Sequence, residues 1–271
     1  MKYGINNSVG IPSVQYVEGI LNFASDIGIN ILDTASGYGN AEETIGNFAN
    51  HRFKIVSKFT TPQSENELLL QIKKSLSDLK VETLYGYLAH NANTLIQNPE
   101  IWKVLENIKR NGLVEKIGYS LYSLEQLDKL LSRGCYPDLV QIPYSILDRK
   151  FEKKFSELSQ NGVEIHVRSV FLQGLYFLPP SELPEKLKPL SNCLQELHKY
   201  CKNYNIPIGV AALNFVNDNP YINQVVIGVE SVEQLEDNFK SIVEWKDSGD
   251  FFDQIRQIKV ENSNLLNPSN W

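Results

Sequence analysis

Four ionisable side chains of four different types follow one another through the first third of the chain: Asp33, Tyr38, Lys58 and His90. Three of them lie at the ends of apolar, β-branched runs, and Tyr38 lies in a loop between two glycines. A tyrosine with a pKa of about 10 donates a proton poorly at neutral pH unless a nearby cation lowers that pKa. Lys58 could supply the cation, Asp33 could keep it charged, and His90 could donate a hydrogen bond to a substrate oxygen. A carbonyl group held among these side chains would be ready to accept a hydride, with Tyr38 supplying the proton.

Each of these side chains also has an ordinary structural explanation. Asp33 could cap a loop, Tyr38 could pack on a turn, and His90 could be a hydrogen-bonded loop histidine. Lys58 is harder to explain in this way, because an ammonium group at the end of an apolar strand needs a partner. Taken as a set, the four residues favour an active site.

The elements that must position these residues are short apolar runs separated by amphipathic helical patterns. The runs cover residues 29–34, 53–59, 84–89, 116–121, 139–144, 164–171 and 224–229. Most lack polar/apolar alternation, which is typical of parallel strands covered on both faces. The order predicts an α/β fold, either an open doubly wound sheet or a barrel, and seven strands with a possible eighth favour the (β/α)8 TIM-type barrel of about 250 residues. No linker interrupts the series, so we expect residues 1–271 to form a single domain, with its active site at the C-terminal ends of the strands.

Composition excludes several classes of protein. The formal net charge of −6 makes nucleic acid an improbable partner, because proteins that bind it normally carry a basic surplus. Three cysteines without C-x-x-C spacing do not form a disulfide framework. The sequence shows no apolar leader and no run of about 18 apolar residues, so we expect a cytoplasmic protein without a membrane partner.

Three segments around the four side chains resemble the aldo-keto reductases. These segments are "ILDTASGYGNAEETIG" at 31–46, "IVSKF" at 55–59 and "YLAHN" at 87–91. The resemblance implies a (β/α)8 barrel and NAD(P)H-dependent reduction of an aldehyde, ketone or keto-sugar by an Asp-Tyr-Lys-His tetrad. It implies that Tyr38 is the acid, that Lys58 and Asp33 tune its pKa, and that His90 orients the small-molecule substrate.

Later segments resemble the cofactor-binding parts of the same family: "VQIPYSILDR" at 140–149, "RSVFLQGL" at 168–175 and "VVIGVESVEQLEDN" at 225–238. The resemblance implies that Gln141 meets the nicotinamide amide and that Gln234, Asp237 and Asn238 lie at the adenine end. The cofactor residues it implies are Ser120, Gln141, Arg168, Ser169, Phe171, Gln173, Gly174, Gly228, Gln234 and Asn238. The family preference implies NADPH as the cofactor. NADH remains possible because the sequence shows no clear Lys/Arg pair at the adenine end that would bind a 2′-phosphate. No metal site is expected.

The sequence departs from the family at its start. Members usually open with an apolar first strand and a Gly-x-Gly-Thr-like turn, whereas here residue 1 stands almost directly before "YGINN" and the first helix. We therefore expect the first strand to be truncated or missing, with residues 2–5 either completing the barrel or leaving a gap. Bare strand edges invite pairing, so a neighbouring chain or the tail at 251–271 would cover such a gap, and a homo-oligomer is possible. In addition, Arg168 occupies the position of a tyrosine that stacks on the nicotinamide in the family. The arginine could stack on the ring, bind a phosphate through two hydrogen bonds, or form a salt bridge.

Two other functions compete with carbonyl reduction. The incomplete start is compatible with a non-catalytic or regulatory barrel that binds a nucleotide weakly. A lyase or isomerase could use Lys58 in a Schiff base or in proton transfer. The complete tetrad argues against the first alternative, and Asp33, which would keep Lys58 charged, argues against the second.

Overall fold

The computed structural model describes residues 14–49, 51–246 and 249–271. These residues form seven strands: β1 (Ile31–Asp33), β2 (Lys54–Phe59), β3 (Leu84–Ala89), β4 (Val114–Ser120), β5 (Leu139–Pro143), β6 (Glu164–Arg168) and β7 (Gln224–Val225). Between and around them lie α1 (Val14–Asp26), α2 (Ala41–Phe48), α3 (Glu65–Leu79), α4 (Asn93–Gln97), α5 (Glu100–Arg110), α6 (Leu124–Ser132), α7 (Phe155–Gln160), α8 (Ser191–Asn203), α9 (Ile208–Asn217), α10 (Val232–Val243) and α11 (Phe251–Ile255). Within the described residues, no helix is both long and apolar enough to cross a membrane.

The strands form one parallel sheet in which spatial order follows chain order from β1 to β7. A doubly wound sheet would reverse its strand order partway, so this topology confirms the barrel type. The sheet curls, because Val56, Leu88 and Leu139 from three different strands pack together with Ile31 and Tyr85 on its inner face. A larger core between sheet and helices contains most of the remaining buried apolar side chains. The result is the curled half-barrel of a (β/α)8 fold.

The two edge strands of this sheet, as far as the described residues form it, are β1 and β7. Residues 2–5, expected as a residual first strand, lie outside the described residues, and within those residues β1 and β7 do not pair. A largely apolar cavity of about 420 Å³, which we term the gap cavity, lies between them, against α1, α9 and α10. The residues of 249–271 do not line this cavity, and α11 packs against α8 instead. The tail is therefore not the cover that the sequence suggested.

Two apolar runs extend beyond the strands they predict. The run 164–171 yields a strand only to Arg168, because Ser169 has a φ of +62° and leaves the extended conformation. The run 224–229 yields only the two residues of β7. Apolar residues beyond these strand ends line loops and cavities, so hydrophobic patterning alone overestimates strand length.

Local signals fix several helix ends. Ser123 and Gln126 form a reciprocal capping box at the start of α6, as their spacing predicts. Ser231 accepts a hydrogen bond from the backbone N–H of Gln234 at 3.2 Å and so caps α10. Glycines with positive φ angles lie just after the last residues of α5, α6 and α7: Gly112, Gly134 and Gly162.

Two close contacts fix neighbouring elements. A Cβ atom built on Gly118 of β4 would lie 1.7 Å from the carbonyl oxygen of Leu139, so only glycine fits at this register position. Glu42 of α2 is buried and accepts hydrogen bonds from Ser57 Oγ of β2 at 2.5 Å and from Ser75 Oγ of α3 at 3.1 Å. This carboxylate ties two helices to the strand that carries Lys58.

Candidate active site

Asp33, Lys58 and His90 meet because their strands are neighbours with a fixed parallel register. Asp33 is the last residue of β1 and lies opposite Val56, two residues before Lys58 in β2. His90 directly follows β3, and its backbone N–H donates to the carbonyl oxygen of Phe59 at 3.1 Å. All three side chains therefore lie at the C-terminal edge of the sheet, as the sequence predicts.

Lys58 is almost fully buried and is held by oxygen atoms on β1 and just beyond it. Its Nζ forms an ion pair with Asp33 Oδ1 and donates a hydrogen bond to the carbonyl oxygen of Thr34 at 3.0 Å. Burial lowers the pKa of Lys58, and the charge of the Asp33 carboxylate together with its hydrogen bond opposes this shift. The side chain is 1% exposed and that of Asp33 is 13% exposed, so water screens this ion pair weakly.

Gln141 of β5 holds the other oxygen of the same carboxylate. Its Nε2 donates to Asp33 Oδ2 at 2.7 Å across the interior of the half-barrel. The sequence places Gln141 within the apolar run 139–144, but its contact with Asp33 joins residues 108 positions apart. Ser120 of β4 is buried opposite Gln141 in the register, so both predicted residues lie beside the tetrad.

Tyr38 approaches the pair from the loop after β1. The loop is anchored by Ser36, whose backbone N–H and Oγ each donate to the carbonyl oxygen of Lys58 at 3.0 Å. Lys58 Nζ lies 5.7 Å from the centroid of the Tyr38 ring. The same ring meets the imidazole of His90 edge-to-face, with centroids 5.4 Å apart and planes inclined at 83°. The four predicted side chains therefore form one cluster.

His90 is half-buried within this cluster. Burial lowers its pKa, and the positive charge of Lys58 lowers it further. The imidazole is therefore held in its neutral form at neutral pH, in which one ring nitrogen donates and the other accepts. Such a group can donate a hydrogen bond to a carbonyl oxygen.

Arg168 ends β6 beside the same mouth. Its guanidinium lies 4.3 Å from the centroid of the Tyr122 ring and donates to the carbonyl oxygen of Leu121 at 3.1 Å and to Ser169 Oγ at 3.2 Å. Among the ion pairs formed by the described residues, none involves Arg168. The salt bridge considered from the sequence is therefore not found among the described residues, and the guanidinium lies over the ring of Tyr122, a residue that sequence reasoning missed.

A cleft of about 390 Å³ runs from the loop after β6 to the N-terminal half of α10. Seven of the predicted cofactor residues line it: Ser169, Phe171, Gln173, Gly174, Gly228, Gln234 and Asn238. Ser169, Gln173 and Gly174 have positive φ angles of 62°, 53° and 91°. Leu172, with a φ of 45°, is left-handed as well, so the loop after β6 turns sharply through three successive left-handed residues. The elongated cleft therefore carries predicted cofactor residues from this loop to α10.

His166 is a buried histidine that the sequence did not connect with this region. Its Nε2 lies 2.7 Å from Glu164 Oε1, while its Nδ1 has no hydrogen-bond partner among the described residues. Burial lowers the pKa of His166 to about 4. It lines the gap cavity together with Asp33, and within the described part of the chain no cluster of His, Cys, Asp and Glu could hold a metal ion.

Comparison with known proteins agrees with the fold described above. Residues 3–260 match the sequence profile of the Aldo/keto reductase family. The oxidoreductase YqkF of Bacillus subtilis is 23% identical over 82% of this chain and 80% of its own length. The NADH-specific methylglyoxal reductase of Escherichia coli is also 23% identical, over 79% of each chain. Among solved structures, the holo form of an aldo-keto reductase from Bacillus halodurans superposes with a TM-score of 0.75 at 19% identity, covering 95% of both chains.

Proposed function

Because the chain belongs to the aldo/keto reductase family, we propose that it reduces the carbonyl group of a small molecule with Tyr38 as the proton donor. It is an NAD(P)H-dependent oxidoreductase, as its family and its oxidoreductase relatives indicate. A bound nicotinamide dinucleotide supplies the hydride for such a reaction. The observation that carries the assignment of Tyr38 is the buried Lys58 ammonium, which lies between the Asp33 carboxylate and the Tyr38 ring.

Lys58 gives Tyr38 its acidity in this proposal. When Tyr38 releases its proton to the carbonyl oxygen, the negative charge that remains on the phenolate is stabilised by the nearby ammonium. The ion pair with Asp33 keeps that ammonium protonated although burial lowers its pKa. Gln141 acts one step further away, because its bond to Asp33 orients the carboxylate.

His90 orients the substrate. Its neutral imidazole packs against the Tyr38 ring and can donate a hydrogen bond to the same carbonyl oxygen that Tyr38 protonates. A protonated His90 would place a second cation beside Lys58, and the positive charge of Lys58 disfavours this form. Substrate orientation and proton delivery are thus assigned to two different side chains.

The cofactor would lie in the cleft, with its pyrophosphate on the loop after β6. Ser169 at one end of the cleft follows Arg168 at the tetrad, so the nicotinamide belongs at this end and the adenosine against α10. Ser120 and Gln141 lie on the tetrad side, where the nicotinamide ring would reach them. The ten residues predicted to bind the cofactor therefore divide between its two halves.

The test combines turnover with nucleotide binding. Oxidation of NADH and NADPH is followed by absorbance with a panel of aldehydes, ketones and keto-sugars, and nucleotide affinity is measured by protein fluorescence. Tyr38→Phe should lower kcat by about 10² to 10⁴-fold while leaving the affinity unchanged, because it removes the proton and no cofactor contact. Tyr136→Phe is the matched control, since Tyr136 is 70% exposed and should retain full activity.

The outcomes separate the competing functions. If Tyr38→Phe retains most of the wild-type rate, Tyr38 is not the proton donor. Nucleotide binding without turnover of any carbonyl would instead support the regulatory barrel. A Schiff-base role for Lys58 would need its neutral amine, whereas the ion pair with Asp33 stabilises the protonated form.

A further inference from the structure

The end of the cleft that lies against α10 is acidic. Glu230 and Asp237 line it, and none of its lining residues among those described is a lysine, arginine or histidine. The nearest cation on the same helix, Lys240, forms an ion pair with Glu236 at 2.7 Å and is not part of the lining. Any group bound at this end therefore meets two carboxylates and no balancing positive side chain.

The position of Glu230 is fixed by the start of the helix. Its backbone N–H donates to Gln234 Oε1 at 2.8 Å, and the backbone N–H of Gln234 donates in turn to Ser231 Oγ at 3.2 Å. Glu230 thus stands immediately before the capping residue, and Asp237 lies two turns further along α10. These contacts hold the backbone of Glu230 at the start of the helix, and its side chain lines the cleft.

One opposing effect comes from the helix itself. The N-terminus of α10 carries a partial positive charge of about half a unit, which attracts phosphate. However, the N–H of Gln234 is already bonded to the cap, and the N–H of Leu235 donates to the carbonyl oxygen of Ser231 at 3.3 Å. Two full negative charges therefore oppose a partial positive charge, two of whose N–H donors, those of Gln234 and Leu235, are already engaged.

We propose that this protein binds NADH in preference to NADPH, with Glu230 accepting a hydrogen bond from the 2′-hydroxyl of the adenosine ribose. This inference rests on the proposed function, because it assumes that the adenosine half lies against α10. An acidic residue that accepts from this hydroxyl is a general means of selecting the unphosphorylated cofactor. A 2′-phosphate carries a charge of about −1.5 to −2 at neutral pH and would be repelled by Glu230 and Asp237. The family resemblance alone implied NADPH, and the charges of this cleft favour the other cofactor.

The experiment isolates the adenosine half by using ADP-ribose and 2′-phospho-ADP-ribose as calorimetric probes, so that neither turnover nor the nicotinamide end enters. ADP-ribose should bind more tightly than its 2′-phosphate by about tenfold or more at low salt. Glu230→Arg should reverse or abolish this ratio, because it replaces the acceptor with a cation that pairs with phosphate. Glu233→Arg is the matched control, since Glu233 is exposed on the first turn of α10, undergoes the same change of charge and does not line the cleft.

The possible results distinguish a failure of the NADH preference from a failure of the proposed reductase function. Equal binding of the two probes, or tighter binding of the 2′-phosphate, would overturn the NADH preference and leave the proposed reductase function standing. An equal shift of the ratio in both arginine variants would also overturn it, because the effect would then come from overall charge. If neither probe nor NADH binds, the cofactor site proposed above is wrong, and the preference falls with it.

Discussion

Replacing Lys58 with methionine should both destabilise the fold and abolish catalysis. Methionine has a similar length but cannot donate, so the variant removes the hydrogen bond to Asp33 and the one to the carbonyl oxygen of Thr34. A hydrogen bond to a charged group contributes about 1.5 to 3 kcal/mol and a neutral one about 1 kcal/mol. Asp33 keeps Gln141 as a donor and is 13% exposed, which offsets part of the loss. We therefore expect the free energy of unfolding to fall by about 3 kcal/mol, at the lower end of the range for broken buried ion pairs.

A double-mutant cycle shows whether this cost comes from the pair. Asp33→Asn alone leaves a buried ammonium with a weakened partner, and Lys58→Met alone leaves a carboxylate without its cation. The double variant removes both charges, so its cost should be smaller than the sum of the single costs by about 2 kcal/mol. Urea unfolding with unchanged m-values measures the three differences.

A second lysine, on the surface, provides the control for this prediction. Lys103 pairs with Glu100 on the surface at 71% and 64% exposure, so Lys103→Met should cost less than about 1 kcal/mol. Single costs that add within about 0.5 kcal/mol would mean that Lys58 and Asp33 are not coupled. Carbonyl reduction that persists in a folded Lys58→Met variant would refute the role of its ammonium in the acidity of Tyr38.

Variants at three further sites, two of them with a comparison variant, test other parts of the structure by urea unfolding. Because His166 is neutral in the fold with a pKa of about 4 and would titrate at about 6.5 when unfolded, stability should fall by about 3 kcal/mol as pH decreases through this window, and His166→Gln should flatten the profile. An identical slope in both proteins would contradict this expectation. Gly118→Ala should cost about 3 kcal/mol or more because its Cβ would meet a backbone oxygen at 1.7 Å, whereas Gly19→Ala, with its nearest contact at 3.5 Å, should be neutral or stabilising. Glu42→Ala should cost about 2 kcal/mol by leaving two buried serine hydroxyls without their acceptor, and a smaller loss in Glu42→Gln would show that the hydrogen bonds matter more than the charge.

The strands and the tetrad could be predicted from the sequence because both depend on patterns within short segments of the chain. Apolar runs separated by amphipathic helices predict parallel strands, and parallel strands present their C-terminal ends at one edge. Asp33, Lys58 and His90 occupy such ends, so their convergence follows from the fold alone. Capping pairs such as Ser123 and Gln126 fixed helix starts for the same local reason.

Contacts between distant parts of the chain were not accessible in this way. The bond from Gln141 to Asp33 depends on the curl of the sheet, which brings β5 across from β1. Arg168 ends β6 and stacks on Tyr122, which follows β4, across the end of the intervening strand β5, and no local spacing in the sequence predicts that pair. β6 ends early because Ser169 has a positive φ, and a serine in the sequence does not predict a left-handed backbone.

The strictly sequential strand order has a consequence for how the chain acquires its structure. Every strand pairing among the described residues joins strands that are consecutive in the chain, so each step of sheet formation closes a single connection, the longest of which runs from Arg168 to Gln224. Folds whose contacts are local in sequence reach the native state faster than those that must first bring their two ends together. During synthesis each new strand can therefore dock on a neighbour that is already complete. The three-residue β1 and two-residue β7 should exchange their amide hydrogens soonest, while β3 and β4 in the middle retain theirs longest.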